Sequence, residues 1–105
     1  MFGKMDPFVV ITYLGRDYQT KVHESGGKTP IWNHSFDIQL GSIKDDIQMK
    51  VKDDDMIGSK IIGEANLKAS SLCINNGVRD WFKIYWEGKE VGLILLKSEY
   101  VPRGG

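Results

Sequence analysis

The stretch from Ile47 to Glu64 constrains the fold more than any other part of the chain. Its first residues alternate between apolar and polar, with Ile47, Met49 and Val51 sharing one side. Side chains of a strand point alternately to opposite faces, so this pattern predicts a half-buried β-strand. The chain then passes three aspartates, the apolar pair Met56-Ile57 and a glycine turn before another apolar run. The stretch therefore predicts two strands joined at an acidic end.

The acidic end consists of Asp53, Asp54 and Asp55. Alternation continued through this triplet directs Asp53 and Asp55 to the same side, roughly 6–7 Å apart along an extended chain. Two carboxylates on one side can share a hard cation. Acidic residues also solvate many hairpin ends without binding anything, and the triplet alone leaves that alternative open.

Composition limits the class of protein. The chain has 105 residues, of which 41% are hydrophobic, enough for one packed domain and too few for two. Fourteen basic and fourteen acidic residues cancel, so no overall field attracts nucleic acid or an anionic membrane. Any attraction to a membrane must come from a local patch or a bound cation. Nucleic acid is not an expected partner.

Two further features indicate a cytoplasmic protein. The single cysteine, Cys73, has no internal disulfide partner and is predicted to be a small core residue in a reducing compartment. The longest apolar run, 91–96, is too short to span a bilayer. We therefore expect a cytoplasmic protein, with any membrane association peripheral.

Short strands recur along the whole chain. Runs of β-branched and aromatic residues, separated by turn signals, predict seven strands at residues 8–14, 18–22, 35–40, 47–52, 61–64, 81–86 and 91–101. One helical turn is expected at 68–72, and no segment has the period of an amphipathic helix. The predicted class is all-β, an antiparallel Greek-key β-sandwich of about seven to eight strands. Residues 1–102 would form the single domain, with 103–105 as a tail.

The aromatic residues and the last strand complete the pattern. Four large aromatic side chains could stack on other groups, but alternation assigns most of them to the sandwich core; they are Trp32, Trp81, Phe82 and Trp86. In the last strand, Leu93 and Leu95 lie on the face opposite Ile94 and Leu96, so both faces are apolar.

Several motifs carry a family resemblance. They are Gly3-Lys4-Met5-Asp6-Pro7-Phe8-Val9, Thr20-Lys21-Val22, Thr29-Pro30-Ile31-Trp32-Asn33, Val51-Lys52-Asp53-Asp54-Asp55, Ile62-Gly63-Glu64, Trp81-Phe82 and Gly92-Leu93-Ile94-Leu95-Leu96. In this order, and over nearly the whole chain, they resemble a C2 domain. The resemblance implies two four-stranded sheets whose loops at one end bind calcium and dock on phospholipid head groups.

The resemblance also implies a set of site residues. Asp6 matches the aspartate of the family's first binding loop, and Asp53 and Asp55 match the first two of the third loop, with Asp54 as a helper. The family's other first-loop aspartate would fall upstream of Met1. Lys60 stands where the family has its last third-loop aspartate. The expected cofactor is therefore Ca²⁺, bound weakly and completed by lipid phosphate oxygens.

Apolar and basic residues complete the expected membrane contact. Met56 and Ile57 form an apolar tip beside the aspartates, with Phe2 and Met5 as candidate neighbours that either join the membrane contact or pack against the tip. The candidate residues for lipid head groups are Lys21, Lys28 and Lys60.

Two functions follow from this pattern. The first is a membrane-targeting module that binds anionic phospholipid with calcium bridging. The alternative is a calcium-independent protein–protein interaction module on the same scaffold. An enzyme is not expected, since the sequence shows no nucleophile–base pair. Seven strands in place of eight would leave a sheet edge open, which predicts a protein partner or self-association through that edge.

Overall fold

A computed structural model describes residues 6–20, 35–55 and 58–102, except the side chain of Asp55. Six antiparallel strands form one hydrogen-bonded sheet in the order β2-β1-β3-β4-β5-β6. The strands are β1 (Pro7–Tyr13), β2 (Arg16–Gln19), β3 (Asp46–Asp55), β4 (Gly58–Lys68), β5 (Arg79–Trp86) and β6 (Lys89–Lys97). Two 3₁₀ helices, Ala69–Leu72 and Ile74–Asn76, lie between β4 and β5. The predicted all-β class is confirmed, and so is the helical turn.

The strand predicted from residue 47 onward forms and is longer than its apolar pattern. Met49 and Val51 are fully buried, as their alternation requires. The three aspartates continue β3 and pair in register with Gly58–Lys60 of β4. The turn predicted at Gly58-Ser59 is therefore wrong, because both residues already belong to the returning strand.

The sheet folds over on itself between β4 and β5. One register pair, Glu64 with Tyr85, joins these two strands, whereas β3 and β4 pair along most of their length. A buried cluster contains Val9 of β1 together with Ile84 of β5 and Ile94 of β6. Strands so far apart in the sheet order share a core because the sheet bends. Among the described strands, the result is two layers, β2-β1-β3-β4 and β5-β6, that belong to one hydrogen-bonded sheet.

Gly63 lies where the sheet folds over. A Cβ atom at this position would lie 3.0 Å from Val91 Cγ2 and 3.4 Å from Ile84 Cδ1. The register between β3 and β4 also shifts beside it, at Val51 and Lys52. A glycine and a bulge let a strand bend tightly while another layer approaches its backbone.

The strand predicted at 35–40 is wrong. These residues are described and have no strand pairing. The alternation that suggested a strand is still present in their burial, since Ile38 and Leu40 pack on a cluster with Tyr13 and Ile47. Alternation of apolar and polar residues indicates which side chains are buried. A strand also needs a neighbour for its backbone, and no described strand pairs with this segment.

The predicted burial of most of the four large aromatic residues fails for two of the three that are described, and Trp32 lies outside the described residues. Trp81 is 60% exposed and Trp86 is 41% exposed. Phe82 and Ile84 take the inward positions of β5 and pack in the core. Because successive side chains of a strand alternate, Trp81 is directed outward.

The ends of β2 and β6 differ from their predicted limits. Arg16 and Asp17, predicted as a connection, already pair in β2 after the turn at Leu14-Gly15. The last strand, predicted at 91–101, spans Lys89–Lys97. Beyond it, Ser98 N–H donates to Val78 O and Tyr100 N–H donates to Asn76 O, so the two chain segments stay hydrogen-bonded past the end of the strand. In the part of the chain that the structure describes, no helix has the length and apolar character needed to cross a bilayer.

Candidate functional site

The start of β1 and the end of β3 hold two of the predicted ligands together. Pro7 pairs in register with Asp53. The backbone N–H of Asp6 donates to Oδ1 of Asp53 at 2.9 Å, and the N–H of Asp54 donates to the carbonyl of Asp6 at 3.0 Å. Two hydrogen bonds therefore fix Asp6 beside Asp53, although 47 positions separate them in the sequence.

The returning strand adds a cation to this acidic end. Lys60 of β4 lies directly opposite Asp53, and Ser59 lies opposite Asp54. Side chains directly opposite on neighbouring strands share a face, so the Lys60 ammonium can reach the Asp53 carboxylate. Alternation along β3 assigns the exposed Asp54 to the other face. The face that carries Asp53 therefore combines a carboxylate with a cation.

Calcium prefers six to eight oxygen ligands, several of them charged. The described side chains that fit this chemistry are Asp6 and Asp53, with backbone carbonyls nearby. Among the described residues, no three His, Cys, Asp or Glu side chains lie close enough to hold a metal ion. The remaining predicted contacts lie outside the described residues, namely the Asp55 side chain, Phe2, Met5, Lys21, Lys28, Met56 and Ile57. The described donors thus fit part of a calcium site.

Comparison with known proteins identifies the family. The sequence profile of the C2 domain matches residues 1–84. This chain belongs to the C2 domain family. A solved C2 domain-containing protein from an elicitor-responsive gene superposes with a TM-score of 0.79 at 24% identity, covering 97% of this chain and 76% of that one. The structural match supports the fold.

Relatives of this C2 domain occur in proteins of different sizes. Phospholipase D gamma 2 of Arabidopsis thaliana is 32% identical over 101 residues, covering 92% of this chain and 12% of that protein. The 16 kDa phloem protein 2 of Cucurbita maxima is 31% identical over 112 residues, covering 90% of this chain and 81% of that protein. Synaptotagmin-5 of Arabidopsis thaliana is 26% identical over 86 residues. The chain thus spans about an eighth of the phospholipase and most of the phloem protein.

A hydrogen-bonded tyrosine fastens the loop before β3. Tyr13 Oη donates to Oδ2 of Asp45 at 2.6 Å and accepts from the N–H of Gly41 at 2.8 Å. The hydrogen bond to Asp45, followed by burial, raises the pKa of Tyr13, because both favour the protonated phenol. This network lies at the end of β1 away from Asp6, so it supports the fold of the C2 domain.

Cys73 is half-buried, and its thiol lies 3.2 Å from the carbonyl of Ala69 as a donor. Burial raises the pKa of Cys73, which keeps the group as a thiol at neutral pH. The predicted packing role suits these surroundings better than a nucleophilic one.

The outward face of β5 and β6 carries a set of cations that was not predicted from the sequence. Arg79 and Lys97 are directly opposite each other, and Lys83 lies opposite Leu93. All three cationic side chains are exposed. Their alternation with Trp81 and Tyr85 along β5 was visible in the sequence, but the face could be assigned only after the core was known.

Proposed function

We propose that this C2 domain binds the surface of anionic phospholipid membranes through the end of the sheet that carries Asp6 and Asp53. The observation that supports the proposal is the hydrogen-bonded pairing of these two residues at adjacent strand ends. The family membership adds to it, because the matched profile covers both positions.

Calcium bridging is the mode we propose for this contact. A bound calcium ion would offset the negative charge of the acidic end and share its open coordination positions with lipid phosphate. Asp6 and Asp53 would hold the ion, and Asp55 and Asp54 would assist. Because Lys60 faces Asp53 and the described donors are few, the affinity for calcium in the absence of lipid would be low.

The apolar tip and the remaining lysines would extend the membrane contact. Met56 and Ile57 follow Asp55 directly in the sequence and would contribute apolar side chains to this contact. Phe2 and Met5 precede Asp6 closely and are candidates for the same layer. Lys60, with Lys21 and Lys28, would contact head-group phosphates.

Co-sedimentation with vesicles tests this function. Vesicles of phosphatidylcholine alone, and of phosphatidylcholine mixed with phosphatidylserine, would be spun with the protein in calcium or in chelator. We expect calcium to increase sedimentation with the anionic vesicles, and Asp53→Asn to remove the increase. Asp46→Asn is the matched control, because it removes the same charge at the other end of β3, from an exposed pair with Lys68. An increase that survives Asp53→Asn would contradict the assignment of the site.

A second candidate function is the holding of a protein strand at an open sheet edge. β6 is the last strand of the sheet, and within the described residues nothing pairs with its outer edge. β6 is nine residues long and apolar from Val91 to Leu96, which makes this edge a good template for strand addition. The partner would be a second copy or an extended segment of another protein. Light scattering during size exclusion at micromolar concentration tests self-association, and a clean monomer would contradict it.

A further inference from the structure

The outward face of β5 and β6 combines exposed apolar side chains with cations. Trp81 lies opposite Leu95, and Lys83 lies opposite Leu93. Trp81 is 60% exposed, Leu93 46%, Leu95 41% and Tyr85 42%. Contiguous apolar side chains exposed on a sheet face mark an interaction surface. We call this surface, consisting of Arg79, Trp81, Lys83, Tyr85, Leu93, Leu95 and Lys97, the outer face.

The cations of the outer face have no counter-ion among the described carboxylates. Arg79 and Lys97 lie directly opposite each other, and like charges in this arrangement repel. Among the described residues, Lys68 with Asp46 is the one ion pair, so none of Arg79, Lys83 and Lys97 is neutralised by a described carboxylate. An external anion would relieve this repulsion.

Acidic groups near the outer face lie at its margins. Glu90 is opposite Tyr85, beside the turn between the two strands. Asp80 is exposed, but its register partner Leu96 packs in the core, which assigns Asp80 to the other side of the strand. Its Oδ1 accepts a hydrogen bond from Trp81 N–H at 2.8 Å. The outer face therefore has a net positive charge concentrated at the end that carries Arg79 and Lys97.

We propose that the outer face is a calcium-independent contact site for anionic phospholipid bilayers. Its charge is complementary to lipid phosphate and carboxylate groups. Trp and Tyr have an apolar body and a polar tip, which suits the head-group layer. Lys and Arg can lay their stems along apolar side chains and extend their charges to the surrounding phosphates.

This contact is separate from the acidic end of the sheet. Asp53 is the register partner of Lys60 near the start of β4, and Tyr85 is the register partner of Glu64 further along β4. Because β5 runs antiparallel to β4, Arg79 and its partner Lys97 lie still further along the strands from the aspartates. At a rise of about 3.3 Å per residue, the separation along the strand direction is roughly 30 Å. The outer face needs no calcium, so the two contacts can be measured independently.

Vesicle binding in chelator tests the proposal. The protein would be titrated with phosphatidylcholine vesicles and with vesicles that also contain phosphatidylserine. We expect the protein to bind the vesicles that contain phosphatidylserine and not those of phosphatidylcholine alone. Added salt should weaken this binding. Each cation near an anionic surface contributes about fivefold to vesicle affinity, so the double substitution Arg79→Gln, Lys97→Gln should lower that affinity roughly thirtyfold. Trp81→Ser should also weaken it. Both substitutions change exposed positions, and thermal melts would show whether the variants fold.

The matched control is Lys44→Gln with Lys68→Gln, which removes the same charge from exposed positions off the outer face. Equal weakening by the control pair would overturn the proposal, because only the total charge would then matter. Failure of the wild-type chain to bind in chelator would also overturn it. So would preference for an acidic polypeptide such as poly-glutamate over the vesicles. The calcium-dependent increase should persist in the Arg79→Gln, Lys97→Gln variant, which separates this proposal from the site at Asp53.

Discussion

Asp6 donates its backbone N–H to the carboxylate of Asp53, so the side chain that is the best candidate calcium ligand also fastens β1 to β3. The hydrogen bond uses Oδ1 at 2.9 Å. The bond lies next to the register pair Pro7–Asp53, at the end of the pairing between β1 and β3. The structural role and the proposed binding role therefore fall on one carboxylate, and substitutions at this position can separate them.

The substitution Asp53→Asn separates charge from hydrogen bonding. Asparagine keeps an oxygen that can accept from Asp6 N–H, but it has no charge to hold calcium. We expect calcium affinity to fall by about tenfold or more, while the melting temperature changes little. Amide chemical shifts of Asp6 and of residues 53–55 would be followed during a calcium titration. Unchanged titration of these amides in the variant would show that calcium binds elsewhere.

The substitution Lys60→Asp places a carboxylate opposite Asp53 where the cation now lies. We expect calcium affinity to rise by roughly tenfold, because the number of charged ligands sets the affinity of such sites. Lys60→Gln serves as the control that removes the cation without adding a ligand, and it should give a smaller increase. Calorimetric titration with calcium measures both. A lower affinity in Lys60→Asp would argue against coordination at this end.

The double substitution Met56→Asp, Ile57→Ser tests the apolar tip. Burying an aliphatic side chain contributes about 1.5–3 kcal/mol, so loss of two should lower vesicle affinity markedly. We expect thermal stability to remain almost unchanged if the tip contacts lipid. Vesicle sedimentation and a thermal melt measure the two effects. A large fall in melting temperature would instead assign these side chains to the packing of the fold.

Alkaline unfolding should report on Tyr13. The hydrogen bond to Asp45 raises the pKa of Tyr13 above its ordinary value of 10.0. The resulting stabilisation is complete below the ordinary pKa and is lost as pH rises through the raised pKa. Tyr13→Phe should therefore lower stability at neutral pH and make its fall in alkali shallower. Urea unfolding of both proteins between neutral pH and the alkaline range measures the difference, and parallel curves would contradict the prediction.

The substitution Gly63→Ala tests the bend of the sheet. The added Cβ would lie 3.0 Å from Val91 Cγ2, so the two layers must shift. We expect a loss of about 1–3 kcal/mol in the free energy of unfolding, as is typical of overpacked cores. Gly41→Ala is the matched control, because its Cβ would lie 3.6 Å from Asp45 Oδ2 in ordinary contact. Equal stability of the two variants would show that the packing around Gly63 can accommodate a methyl group.

The sequence by itself determined where several strands form. β3 carries alternating apolar residues, β1 and β5 are runs rich in β-branched and aromatic residues, and each strand forms close to its predicted position. Alternation also assigned Phe82 and Ile84 to the same face of β5. Because both faces of this strand carry aromatic residues, it could not show which face would be buried. That choice depends on the layer to which β5 packs.

Tertiary structure alone decided the pairings and faces that depend on distant neighbours. Residues 35–40 keep a strand-like alternation of burial without a strand, because the partner that a ladder requires is not among the described strands. The fold-over at Gly63 brings Val9 and Ile94 into one core and directs Trp81 outward. Asp6 meets Asp53 through a β1–β3 register that local sequence does not encode, since backbone pairing is set by the packing of whole strands.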